Sequence, residues 1–260
     1  MNALDYWSRK KAIVTAGASG IGLAIASSLQ RAGVRVWICD VSEEHLATAA
    51  KALPGVEARM CDVSDPDAVT AFVNDAADTM GGLDIVVNNA GIAGPAAPLE
   101  EISTEDWVRT FAVPVHGQFF TARAAIPHLK KAGGGSIVCM ASVAGKYAFP
   151  LRSPYASSKA AVISLARGLS VELGPHNIRV NAIAPVVVAG DRIRRVFTDR
   201  SKARGITYEE MQAIALRAVS MKTMVEPEEI ADLVMFLCGP SGRAITGQVQ
   251  SICGGLEYTE

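Results

Sequence analysis

Thr15-Ala16-Gly17-Ala18-Ser19-Gly20-Ile21-Gly22 stands between two segments of different period. Before it, Ala12 to Val14 is an unbroken apolar run, as in a strand covered on both faces. After it, Ile21, Ala24, Ile25, Ser28 and Leu29 recur at helical spacing, and Gly33 follows the last turn where a glycine commonly ends a helix. A second apolar run, Val34 to Cys39, then ends on Asp40. Strand, glycine turn, helix and strand make a βαβ unit. A turn of this kind lets backbone N–H groups and a helix N-terminus face a pyrophosphate, where the helix dipole favours an anion. Glycine turns also occur as plain tight turns, but a carboxylate about 20 residues further on is placed to bind a ribose diol.

The rhythm continues outward from this unit. Helical stretches are expected over 43–53, 65–80, from Thr104 to about residue 131, 153–174 and 227–237. Strands are expected over 56–61, 83–87, 136–140, 178–184 and 245–252. Alternation at this spacing predicts an α/β fold with a doubly wound, parallel, seven-stranded sheet of Rossmann type, helices on both faces and right-handed crossovers. We expect one domain over 1–260, with no repeat or low-complexity segment. Residues 190–225 are the one long departure, polar and partly helical, and are expected to rise over the site as a lid. Gly20, Asp40, Asp62, Asn89, Ser142 and Pro185 each follow a strand. In such sheets ligands sit beyond the carboxyl ends of the strands, so these residues should converge on one edge.

Composition narrows the function. The 260 residues are half hydrophobic, which is ample for a two-faced core, and 25 basic against 26 acidic residues leave a net charge of −1. No global field favours nucleic acid or a membrane surface. No apolar run reaches the length of about 18 residues that spans a bilayer, and the first residues lack the apolar core of a signal peptide. Cys39, Cys61, Cys139, Cys238 and Cys253 show no metal-like spacing, and His45, His116, His128 and His176 form no metal-like pair. We therefore expect reduced thiols, a cytoplasmic protein and no metal.

Tyr155-Ala-Ser-Ser-Lys159 places a phenol and an ammonium four residues apart, on one face of a helix. A neighbouring cation favours the phenolate. Bringing a phenol from about 10 to about 7 takes roughly 4 kcal/mol, within reach of two cations in a partly dry site. Such a tyrosine is a base for an alcohol and an acid for a ketone. Ser142, at the end of the fifth strand, is placed to hydrogen-bond the same substrate oxygen. On its own this spacing also fits a surface Tyr and Lys; the glycine turn, Asp40 and Ser142 weigh against that.

With these motifs the chain resembles the short-chain dehydrogenase/reductase family in its single-domain form, over nearly its whole length. The resemblance rests on the glycine turn, Asp62-Val63, Asn88-Asn89-Ala90-Gly91, Ser142, Tyr155 with Lys159, and Asn181 to Pro185. It implies Ser142, Tyr155 and Lys159 as catalytic residues, with Lys159 also on the nicotinamide ribose. It implies a cofactor cleft lined by Ala16, Ser19, Gly20, Ile21, Gly22, Asp40, Asp62, Val63, Asn89, Ala90, Gly91, Tyr155, Lys159, Pro185 and Val188. Asp62 and Val63 would hold the adenine. Asp40 accepts from both ribose hydroxyls and repels a 2′-phosphate, so NAD is the expected cofactor. The resemblance also implies a homotetramer, paired through the helices of 104–131 and 153–173.

Five positions depart from the family pattern. Ala16 replaces a glycine of the turn, Val186 a glycine after Pro185, Gly190 a threonine, and Cys253 an aspartate. Pro114 stands where the family usually has an asparagine that bends the helix and relays a proton through water. Proline bends a helix by another route, since it lacks an N–H and clashes with the preceding turn. The expected partner is a small molecule, with no nucleic acid and no membrane. Arg192, Arg194, Arg195, Arg200, Lys202 and Arg204 fill the lid, and Arg152 lies just before Tyr155. They read either as a solvated face or as a clamp for an anionic group. The leading reading is a reversible NAD-dependent secondary-alcohol dehydrogenase. A second is a degenerate relative that binds NAD with little turnover, motivated by Pro114, Val186 and Gly190. A methyltransferase on a similar sheet explains the glycines but leaves Tyr155 and Lys159 idle.

Overall fold

A computed structural model describes residues 3–256, with the side chains of residues 3, 4, 199 and 203 left aside. Seven strands form one parallel sheet: β1 (Lys11–Thr15), β2 (Arg35–Asp40), β3 (Glu57–Met60), β4 (Ile85–Asn88), β5 (Gly135–Met140), β6 (Ile178–Pro185) and β7 (Val249–Ile252). Their order is β3-β2-β1-β4-β5-β6-β7, every pair parallel. The order reverses between β1 and β4, which opens a crevice at the carboxyl ends of both.

Alternate residues of each strand enter opposite cores. Ile13, Val86, Ile137 and Val180 face one layer, built from α4 (Pro66–Met80), α6 (Gly117–Lys131) and α7 (Ser153–Leu173). Ala12, Val14, Ile38 and Val138 face the other, built from α2 (Gly20–Arg31) and α10 (Pro227–Cys238). The period of two explains why the strands read as continuous apolar runs, since both faces are covered. Fully buried side chains such as Ile13, Leu29 and Ile137 contribute about 1.5–3 kcal/mol each.

The helix ends follow sequence chemistry. Ser42 caps α3 (Glu43–Ala52) by accepting from His45 N–H. Asp65 caps α4 by accepting from Asp67 and Ala68, with Pro66 in the first turn and Gly81 left-handed at the end. The stretch from Thr104 is not one helix. α5 (Thr104–Phe111) runs into a π-helical turn over Ala112–His116, which contains Pro114, before α6 begins. A short helix, α1 (Ala3–Trp7), precedes β1 and has no counterpart in the expected elements.

The expected last strand is shorter than 245–252. Residues 245–248 turn at Gly247 (φ +71°), and Asn181 takes their polar groups, donating to the Ile245 carbonyl and accepting from Gln248 N–H. Residues 190–225 hold α8 (Asp191–Arg204) and α9 (Tyr208–Leu216). The excursion is closed at its base, where Val188 pairs with Val225. Among the described residues no helix is long and apolar enough to cross a membrane.

Candidate active site

The glycine turn is held from both sides. Gly17 N–H donates to the Cys39 carbonyl at 2.9 Å. The Asn89 amide donates to the carbonyls of Thr15 (3.1 Å) and Ala16 (3.0 Å). The Thr15 hydroxyl in turn accepts from the N–H groups of Asn89 and Ala90. These bonds tie the turn to the end of β4 and fix the mouth of the crevice. At Gly22 a Cβ would lie 2.1 Å from the Ala16 carbonyl oxygen, so only glycine lets α2 start this close to the turn. At Gly20, φ is +49° and nothing lies within 4 Å of a Cβ position. That open face, beside a Ser19 hydroxyl that makes no capping bond, fits a pyrophosphate at the N-terminus of α2.

Ala16 does adopt the left-handed conformation that alanine disfavours, with φ +48°. Left-handed backbone costs an L-residue about 1–2 kcal/mol, while glycine gains entropy in the unfolded chain. Ala16→Gly should therefore stabilise the protein by about 0.5–1 kcal/mol and raise the melting temperature by about 2 °C. A thermal melt shifted downward would show that the strain is relieved elsewhere.

Asp40 ends β2, buried, with one carboxylate oxygen accepting from Ser42 N–H at 3.1 Å. Asp62 follows β3, exposed, and accepts from the N–H and hydroxyl of Ser64. Val63 is buried beside it against Gly117, where a Cβ would meet Val63 at 2.8 Å. Asn89, Ala90 and Gly91 extend the wall from β4. Ile21 stands half-buried on the first turn of α2. Asn88 and Asn181 belong to the scaffold: Asn88 is buried in β4, and Asn181 organises the 245–248 turn.

Ser142, Tyr155 and Lys159 are brought together. Ser142 leaves the end of β5, and its hydroxyl accepts from Ala144 N–H at 3.2 Å. Tyr155 and Lys159 lie one turn apart on α7, with the Lys159 Nζ 5.8 Å from the phenol ring centroid. Lys159 is buried and donates to the Met140 carbonyl at 2.8 Å. Burial pushes the Tyr155 phenol up. The Lys159 ammonium, a hydrogen bond with Ser142 and the charges of Arg192 and Arg152 outweigh it, so the phenol stands below the usual tyrosine value. Burial also lowers the Lys159 ammonium, which the phenol opposes and Arg192 reinforces. Pro114, buried in the π-helical turn, faces the same spot. A Cβ on Gly91 would lie 3.2 Å from Lys159 Nζ and 3.9 Å from the Pro114 ring.

Pro185 ends β6, and Val188 pairs with Val225 at the base of the 190–225 excursion. Gly190 takes φ +132° just before α8, a conformation closed to the threonine usual there. The first turn of α8 carries Arg192, whose charge is felt at both Tyr155 and Lys159. The Arg152 guanidinium lies 4.7 Å from the Tyr155 ring centroid. Thr15 and Met140 were not singled out by sequence reasoning. Thr15 carried a signal, as the one polar residue at the end of β1. Met140 acts through its carbonyl, which no side chain announces. A separate cleft of about 500 Å³ opens elsewhere on the sheet, lined by Tyr6, Lys10, Asp84, Arg179 and Arg243 among others, and includes none of these residues.

Known proteins share this fold. A family model described as enoyl-(acyl carrier protein) reductase matches residues 15–257. D-beta-hydroxybutyrate dehydrogenase of Rhizobium meliloti is 32% identical over 253 residues, covering 95% of this chain and 98% of that protein. A crystal structure of NAD⁺-bound xylitol dehydrogenase superposes with a TM-score of 0.89 at 31% identity, covering 95% of this chain and 98% of that one. A single-substitution variant of actinorhodin polyketide ketoreductase with NADPH gives 0.92 at 32% identity, covering 99% and 100%. The chain belongs to the short-chain dehydrogenase/reductase family of nicotinamide-dependent oxidoreductases.

Proposed function

We propose that this chain is an NAD-dependent dehydrogenase that interconverts a secondary alcohol and a ketone on a small molecule bearing an anionic group. The carrying observation is the convergence of Ser142, Tyr155 and Lys159 at the strand ends, with the phenol held below its usual value. When bound, the nicotinamide supplies the hydride acceptor or donor. Tyr155 takes the hydroxyl proton in oxidation and returns it in reduction. Ser142 hydrogen-bonds the reacting oxygen and the phenol, which orients both. Lys159 keeps a positive charge beside the phenol and offers its remaining donors to the nicotinamide ribose. Asn89, Ala90, Gly91, Pro185 and Val188 line the cleft. Ala16, Ser19, Gly20, Ile21 and Gly22 would hold the pyrophosphate, and Asp62 with Val63 the adenine. A cytoplasmic setting is supported by five free cysteines, four of them buried. A homotetramer is supported by exposed Trp107, Val108, Phe119 and Val171 on α5, α6 and α7.

Asp40 carries the choice of NAD. Of the similar structures, one holds NAD⁺ and another NADPH, so the fold alone leaves both open. A buried carboxylate at the end of β2 accepts from a ribose diol and repels a 2′-phosphate. Asp40→Ala should weaken NAD binding about 10-fold and bring NADP within reach of it, because acceptor and repulsion vanish together. A wild-type protein that prefers NADP in a binding titration would refute this reading of Asp40.

The second reading is a degenerate relative that binds NAD without turnover. It is favoured by Pro114 in place of asparagine and by Gly190 in place of threonine. Tight NADH binding with no turnover on a broad panel of secondary alcohols would establish it.

A further inference from the structure

Arg152 is unusually placed for an arginine. It is half-buried, its guanidinium lies 4.7 Å from the Tyr155 ring centroid, and among the described residues that guanidinium has no hydrogen bond or ion pair. A guanidinium carries five donors, and withdrawing it from water without partners is costly. The two ion pairs among the described residues, Lys10–Asp84 and Arg59–Glu57, lie elsewhere. Arg192, in the first turn of α8, and Arg200, further along it, are close enough for their charges to act on Arg152. Lys159, Arg192 and Arg152 all act on the one phenol, and Arg200 adds its charge at Arg152. Asp191 is exposed at the start of α8 and pairs with none of them. Such a set is electrostatically incomplete until an anion enters it.

We propose that the substrate is a short hydroxy carboxylate whose carboxylate is gripped between Arg152, at the N-cap of the helix that carries Tyr155, and Arg192 in the first turn of α8. The inference rests on Tyr155 being the group that exchanges a proton with the substrate hydroxyl. It adds the substrate class and the residues that select it. Because the Arg152 guanidinium lies 4.7 Å from the centre of the Tyr155 ring, carbinol and carboxylate belong to one short molecule, a few carbons apart. A planar carboxylate matches the guanidinium fork in bidentate fashion. Arg152 is held at the N-cap of α7 and Arg192 rides on α8, so a bound carboxylate also joins α8 to the floor of the site. A neutral substrate lacks that link.

The test uses the protein saturated with NADH, with butyrate, butyramide and inorganic phosphate as probes that cannot be oxidised. Calorimetry should show butyrate binding, butyramide not binding, and butyrate affinity falling at least 10-fold in Arg152→Gln and in Arg192→Gln. Turnover gives the second arm. The ratio of kcat/KM for 3-hydroxybutyrate over its methyl ester, taken at high pH where Tyr155 is ionised in every variant, should fall 10- to 50-fold in each variant. Butyrate binding that is absent, or equal in all three proteins, overturns the inference whatever the turnover shows. Phosphate binding tighter than butyrate overturns the carboxylate in favour of a phosphate ester. An upward shift of the pH profile with the acid-to-ester ratio unchanged also overturns it, because the arginines then act only on Tyr155. Butyrate binding that depends on both arginines, with no alcohol oxidised, keeps the anion site and removes the dehydrogenase reading.

Discussion

Tyr155→Phe is expected to lower turnover by about 10²- to 10⁴-fold, the usual contribution of a positioned acid/base. The variant removes the one atom of the side chain that exchanges a proton and almost no volume. The ring keeps its place under Arg152 and beside Lys159, so NADH binding should change little. The pH dependence gives a sharper test, and its sign is fixed. Burial raises the phenol, but Lys159, Ser142, Arg192 and Arg152 together hold it below the usual tyrosine value. Oxidation needs the phenolate, so kcat/KM for an alcohol should rise with pH and level off below the pH at which a free tyrosine titrates. Reduction needs the phenol, so kcat/KM for a ketone should fall over the same range. Steady-state kinetics in both directions would show it. Activity within a few-fold of wild type, or a profile without that inflection, excludes Tyr155 as the base.

Much of this site can be read from the chain because each strand ends where an apolar run meets a polar residue. Asp40, Asn89 and Ser142 follow that rule, and a parallel sheet carries them to one edge with Asp62 after β3 and Pro185 at the end of β6, without knowledge of any contact. Tyr155 and Lys159 needed only the helical period. Contacts made at long range were out of reach. The Thr15 hydroxyl bridges to Asn89 and Ala90, and the Met140 carbonyl takes the Lys159 ammonium; both depend on how strands pair. The expected last strand begins too early, at Ile245, although Gly247 within the 245–248 segment is a turn signal. The segment's polar groups are taken by Asn181, more than 60 residues earlier in the chain. The arginines of 190–225 showed their charge in the sequence but not that the charge of Arg192 acts on the phenol.

Pro114 was legible as a break, but the form of the break was not, and that form bears on the rate. The helical stretch could have ended there or kinked. Instead it widens into a π-helical turn over Ala112–His116, where Gly117 N–H reaches the Ala112 carbonyl five residues back. Proline offers no N–H to the carbonyl four residues before it, so a regular turn gains nothing at this point. We infer that Pro114 is a positioning residue: a Cβ on Gly91 would lie 3.9 Å from its ring and 3.2 Å from Lys159 Nζ, so ring and ammonium flank the same point of the backbone. Pro114→Ala restores the N–H and lets the turn regularise. α6 is held by Gly117 on Val63 and by Leu129 in the core, whereas α5 buries only Thr110. α5 is the end that should rotate, drawing residue 114 away from Lys159. A displacement of this kind near the reacting groups costs about 10²-fold. Pro114→Ala should therefore lose about 10²-fold in turnover while melting at the same temperature or higher, since alanine is the better helix former. Pro114→Asn, which also disfavours a regular turn, should keep or raise turnover. Rates across pH separate this from a purely structural role: losing the approach to Lys159 should move the Tyr155 inflection upward in Pro114→Ala alone. If Pro114→Ala matches wild type at every pH, the π-helical turn has no part in catalysis. If Pro114→Asn gains several hundred-fold, the wild-type protein is the degenerate relative, and its nucleotide site has outlived its chemistry.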